Sequence, residues 1–116
     1  ETQIGNVWES ARKAVQENLH NVVAIVDDNM LCAMGETSKI LDISPREIFS
    51  NWHIDYIDGH DFDSIEFALN KQSDLPRAII ANTIKGHPIS FMSNNNDWHY
   101  RHIDKEHYEL TCQELR

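Results

Sequence analysis

Val22–Gly35, VVAIVDDNMLCAMG, is an apolar, β-branched run that closes on two carboxylates, an amide and a turn. Val22, Val23, Ala24, Ile25 and Val26 do not alternate with polar residues. That is the pattern of a strand covered on both faces, as in a parallel sheet flanked by helices. Asp27, Asp28 and Asn29 then fall at the carboxyl end of the strand, where open α/β sheets bind their ligands. Oxygen-only donors at such a tip suit a hard cation such as Mg²⁺, which keeps bonds to water and phosphate. The reading that asks less is that Asp-Asp-Asn simply opens a solvated loop.

Outward from that stretch the chain alternates helix and strand. Ile4, Val7, Trp8, Ala11, Ala14, Val15 and Leu19 recur at three- and four-residue spacing, which predicts a helix over Gly5–Leu19 with one apolar stripe. Ser44-Pro45-Arg46-Glu47 carries an N-cap, a proline at the first helical position and an acidic residue three after the cap. His53–Asp58 reads as a second strand and Ala78–Thr83 as a third, each with a polar tip. Between them Asp61 or Asp63 caps a helix whose Ile65, Phe67, Ala68 and Leu69 are expected to face inward, stopped by Pro76. Leu31–Ser44 and Gly86–Ile103 read as loops over the strand ends, and Asp104–Leu115 as a closing helix. The predicted class is α/β, a three-layer αβα parallel sheet whose three tips share one edge.

Composition narrows the function. A chain of 116 residues is at most one domain, and its net charge of −9 argues against nucleic acid, whose binding needs clustered Lys and Arg. No apolar stretch approaches the roughly 20 residues that span a bilayer, so no membrane role is expected. Two cysteines, Cys32 and Cys112, without disulfide-like spacing suit a reduced, cytoplasmic setting. The histidines show no zinc spacing: His99, His102 and Cys112 make a set only on paper. Asp27–Asn29, Asp58, Thr83 and Lys85 also match the parts of a phosphoacceptor receiver domain, a signalling alternative. A full helix before the first strand, and glycine rather than proline after Lys85, count against it.

In register along the whole chain, Gly5-Asn6-Val7-Trp8-Glu9-Ser10, Ile25-Val26-Asp27-Asp28-Asn29, Ile57-Asp58-Gly59-His60-Asp61, Thr83-Ile84-Lys85-Gly86 and Ser90-Phe91-Met92 with Trp98-His99 resemble transketolase. The similarity is to the later part of its thiamine-diphosphate-binding (N-terminal) domain and to the stand-alone N-terminal subunits of split enzymes. The family motif runs from G-D-G to an Asn about thirty residues on. Asn29 fills the last place, which would put G-D-G just before Glu1 and make residues 1–116 a partial diphosphate-binding domain.

The resemblance implies a function: transfer of a two-carbon ketol unit from a ketose phosphate to an aldose phosphate, as in pentose phosphate metabolism. It implies thiamine diphosphate as the electron sink and Mg²⁺ (or Ca²⁺) as its cation, with the Asn29 side chain and the Leu31 carbonyl as metal ligands. Lys85 is implied near the cofactor, and His99 near cofactor and sugar as the catalytic histidine. A pyrimidine-binding domain or C-terminal subunit of a partner chain is implied to bring the activating glutamate, in a homodimer or heterotetramer. Residues 1–116 alone would then be inactive. Relatives using the same cofactor, such as deoxyxylulose-phosphate synthase, are the nearest alternatives. Four positions depart from the family pattern: Ile4 for a glutamate, Met34 for an aspartate, His87-Pro88 for x-G after Lys85-Gly86, and Tyr100 for glycine after Trp98-His99.

Overall fold

The computed structural model describes all 116 residues. Three parallel strands, β1 (Val23–Asp28), β4 (His53–Asp58) and β5 (Arg77–Asn82), form one sheet in the order β1-β5-β4. A second, two-stranded antiparallel ribbon pairs β2 (Leu31–Cys32) with β3 (Gly35–Glu36). The helices are α1 (Gly5–Gln16), the one-turn α2 (Thr37–Ile40) and α3 (Pro45–Ile48), α4 (Phe62–Asn70) and α5 (Lys105–Glu114). A 3₁₀ turn occupies Asn96–His99. The predicted α/β class and the three parallel strands are present, and the ribbon is an element that the loop reading of Leu31–Ser44 did not contain.

The sheet's two faces explain which residues are covered. Ala11 and Ala14 of α1, Ile48 and Phe49 with Trp52 after α3, and Ala78 and Ile80 of β5 form one buried cluster, edged by Ala24, Val26 and Ile54. The two alanines let α1 approach closely, and the Trp52 indole N–H donates to the Ala11 carbonyl at 3.0 Å. Arg77 and Ile79 alternate to the opposite face. There the Arg77 guanidinium donates to the carbonyls of Ala68 and Leu69, which puts α4 over β4 and β5.

Three expectations change. The run Val22–Val26 is not the doubly covered strand. On β1 the burial alternates, with Val23 40% and Ile25 64% exposed, because α4 does not extend over that edge. The strand buried on both faces is β5, whose Ala78, Ile79 and Ile80 lie between two neighbours and two helix layers. On α4 only Ala68 is fully buried, while Phe67 is 68% exposed and Leu69 is exposed too. The helix meets the sheet along Ile65 and Ala68, three apart, and Phe67 and Leu69 flank that line.

Leu19, finally, lies beyond α1. Asn18 takes φ 54, its N–H reaches the Val15 carbonyl and the Leu19 N–H reaches that of Ala14, a Schellman stop that leaves Leu19 exposed. The caps read from sequence are present: Ser44 Oγ accepts from Arg46 N–H, and Asp61 rather than Asp63 caps α4. The structure adds a third, Asp104, which caps α5.

Candidate functional site

The register of the sheet aligns Asp28 of β1, Asn82 of β5 and Asp58 of β4 in one row at the carboxyl edge. A cleft of about 670 Å³ opens there, lined among others by Asp28, Met30, Asp58, His60, Asn82 and Thr83. Gly59 is required at its rim, since a Cβ would run into the Thr83 methyl group, and its N–H instead donates to the Asn82 carbonyl at 2.8 Å.

The β1 tip is held by a chain of linked hydrogen bonds. Thr83 Oγ1 donates to Asp27, the Asn29 side-chain NH₂ donates to the other Asp27 oxygen at 3.2 Å, and Asn29 Oδ1 accepts the Leu31 N–H at 2.9 Å. Asn29 thus closes an Asx turn over Met30, which takes φ 61. The Met30 carbonyl is fixed in turn by the N–H and hydroxyl of Thr37. With both ends of its amide engaged, Asn29 has one defined orientation, and Oδ1 keeps a second lone pair. Burial, and then the neighbouring Asp27 charge, push the Asp28 carboxyl above its ordinary range.

The segment after β5 forms the other wall. The Ile84 N–H donates to His60 Nε2 at 2.8 Å, and the His60 and His87 rings lie 4.2 Å apart. Lys85 is half-buried and its carbonyl accepts the Asn94 N–H, which folds 86–94 into a loop around buried Ile89. Asn96 ties the 3₁₀ turn to the Ala33 carbonyl of the ribbon at 3.3 Å. Trp98 is held by Phe91 and His107, each 4.9 Å away ring to ring, and Ser90 bonds Glu114, so α5 clamps this loop. His99 is exposed at the end of the 3₁₀ turn, with the exposed Tyr100 ring edge-on at 4.5 Å.

Of the four residues singled out in the sequence, Asn29 and Leu31 are joined directly. Lys85 follows the residue anchored to His60, and His99 stands at the far end of the same loop with no hydrogen bond to the other three. His99, His102 and Cys112 form no metal cluster, and no group of three or more His, Cys, Asp or Glu side chains is arranged to hold an ion. The sequence reading gave no role to His60 or His87. The signal for His60 was available as a histidine in the turn immediately after a strand tip.

Residues 2–115 match the family described as "Transketolase, thiamine diphosphate binding domain". The chain belongs to the transketolase family. It is 32% identical over 119 residues to one of the subunits of the apulose-4-phosphate transketolase of Actinobacillus succinogenes, covering 97% of this chain and 42% of that protein. It is 33% identical over 116 residues to human transketolase, covering 96% of this chain and 18% of the enzyme. The crystal structure of Campylobacter jejuni transketolase superposes with a TM-score of 0.78 at 25% identity, over 83% of this chain and 16% of that one. The transketolase-family chain therefore spans less than half the length of the curated relatives it matches, and its parallel sheet flanked by helices is theirs. The receiver reading falls with that assignment. No helix is long and apolar enough to cross a membrane.

Proposed function

We propose that this chain holds the diphosphate end of thiamine diphosphate in a transketolase-like, cytoplasmic transferase that moves a two-carbon ketol unit between sugar phosphates of carbohydrate metabolism. The observation that carries the reading is Asn29, an amide fixed at the β1 tip by Leu31 and Asp27 with a lone pair to spare. A diphosphate approaching Asp27, Asp28 and Asp58 meets like charge, so this tip accepts it only with a cation between them. Neutral oxygens held rigidly are suitable donors for Mg²⁺ or Ca²⁺ beside phosphate oxygens. The Asn29 side chain and the Leu31 carbonyl are the ligands this chain would offer. α1 begins without a side-chain cap, so its first N–H groups remain available to an anion.

When bound, the cofactor supplies the nucleophile and the electron sink for cleaving and forming the ketose carbon–carbon bond. The protein's part is to place and to protonate. Lys85, half-buried beside the anchored Ile84, provides a positive charge on the wall of the site. His99, exposed on its 3₁₀ turn, donates a hydrogen bond to a developing oxyanion or carries a proton to and from a sugar hydroxyl. Tyr100, packed edge-on against His99, narrows the approach from solvent. A pyrimidine-binding domain, from a C-terminal subunit or a second protomer in a homodimer or heterotetramer, completes the site. The Actinobacillus succinogenes relative is by name one subunit of a divided transketolase, which supports such a partner.

Calorimetric titration of thiamine diphosphate with Mg²⁺ into the assembled enzyme tests the reading. Asn29→Ala should weaken binding by at least about tenfold, the loss typical of disturbing a metal's ligand set. His102→Ala, on an exposed residue outside the site, should bind as the unaltered enzyme does. Equal affinities for the two variants would remove Asn29 from the cofactor site.

A further inference from the structure

In the strand-tip cleft one imidazole is forced to accept a hydrogen bond. A backbone N–H can only donate, so the 2.8 Å bond from Ile84 N–H requires His60 Nε2 to be unprotonated and to accept. The neutral ring then carries its proton on Nδ1. His60 is itself fixed from three sides. Its own N–H donates to Asp58 Oδ1 at 2.9 Å in the turn after β4, Gly59 beside it is locked to Asn82, and its ring lies against His87 from the opposite loop. Ile84 lies two residues beyond the end of β5, and Gly86, two residues later again, takes φ 78 with no room for a Cβ. Between these two fixed points stands Lys85.

We infer that His60 is the positioning residue for Lys85: by accepting the Ile84 N–H it fixes the main-chain exit from β5, and so the direction in which the lysine leaves the sheet. The His87 ring braces the imidazole but makes no such bond, so its share is smaller. The role needs an acceptor at Nε2 and not an aromatic ring, and this separates it from plain packing. The inference rests on the reading that Lys85 serves the bound diphosphate, but its first consequence, the state of the Ile84 amide, does not.

Four variants of the assembled enzyme test it: His60→Phe, which keeps a ring against His87 but has no acceptor; His60→Gln, whose side-chain oxygen can accept; His87→Ala; and Lys85→Ala. Hydrogen–deuterium exchange of the peptide covering Thr83–His87, without cofactor, should be faster in His60→Phe and return toward the unaltered rate in His60→Gln. Thiamine diphosphate with Mg²⁺ should bind about fivefold more weakly to His60→Phe, the worth of one ordinary hydrogen bond, and recover in His60→Gln. His87→Ala should change exchange less than His60→Phe does.

Unchanged exchange in His60→Phe, or exchange raised equally in His60→Phe and His60→Gln, would overturn the assignment of Nε2 as the anchor. Faster exchange without loss of affinity, while Lys85→Ala does lose affinity, would overturn the link from anchor to lysine. If Lys85→Ala binds the cofactor normally, the reading of Lys85 fails and the exchange result still decides the role of His60 at the β5 exit.

Discussion

Replacing Asp55 by Asn should cost the protein about 3 kcal/mol of folding stability at neutral pH. Asp55 is 8% exposed on β4 and Arg77 3% exposed at the start of β5, with the guanidinium 3.4 Å from the carboxylate. At that separation and an effective dielectric of about 20, two unit charges attract by about 5 kcal/mol. Lys71 also bonds Asp55, but it is 34% exposed and water supplies most of what it would lose. Asparagine leaves the Arg77 charge buried, and the cost of unpairing a buried ion is about 3–5 kcal/mol. The low end applies here, because Arg77 also donates to the carbonyls of Ala68, Leu69 and Lys71, which continue to solvate it.

The pH dependence has a definite sign. Burial alone would raise the Asp55 carboxyl, yet the hydrogen bonds from Lys71 and Arg77, with the charges of Lys71 and His53, outweigh it and hold it below its ordinary 3.8. A depressed folded-state value means that this stability is fully present above about pH 4 to 5 and disappears as pH falls through the folded value. Urea denaturation at pH 7 and near pH 3 measures both. A penalty under about 1 kcal/mol at pH 7, or one that does not shrink in acid, would refute the reasoning.

His99→Ala should lower kcat on the order of 10²-fold, with cofactor affinity little changed and melting temperature preserved, if its hydrogen bond forms mainly in the transition state; steady-state kinetics beside calorimetry decides it, and an unchanged kcat takes His99 out of the chemistry. Gly86→Ala should destabilise by more than 1 kcal/mol, roughly the cost of a left-handed alanine, since the new Cβ would also sit 2.6 Å from the Met92 carbonyl oxygen; thermal melting checks it. Asp28→Asn should stabilise the cofactor-free protein at neutral pH, because burial and Asp27 raise the Asp28 carboxyl above its unfolded value and its ionisation therefore opposes folding; the gain should vanish below about pH 4 in the same denaturation series.

The elements were legible where local chemistry dominates. His53–Asp58 has the predicted bounds, and the Ser44-Pro45 start and the Asp61 cap follow from side chains that satisfy their own helix termini. The layering was less legible, because apolar character does not say which strand is central. Val22–Val26 and Ala78–Ala81 are alike in composition, and only the strand order puts β5 in the middle and leaves Ile25 in the open. On α4, Phe67 and Leu69 invited burial by type, whereas the small Ala68 fits against the sheet.

At the site, Asn29 and Leu31 were named through the resemblance to transketolase, and the bond between them spans only two residues. The His60–Ile84 bond spans 24, and only the fold brings those two together. Asp55 reads in the sequence only as part of the strand His53–Asp58. The structure makes it the counter-ion of a buried arginine 22 residues away.

Because β5 lies between β1 and β4, those two strands have no bond to each other, and every rung of the main sheet waits for residues 77–82. A growing chain emerging from the ribosome at about 5–20 residues per second presents β1 some fifty residues, roughly 3–10 s, before β5, its partner in this sheet, exists. During that interval the edge of β1 that will pair with β5 is open, beside the apolar Val23 and Ile25. The order in which the strands leave the tunnel therefore gives this sheet a late, all-at-once assembly and a window in which a chaperone has something to hold.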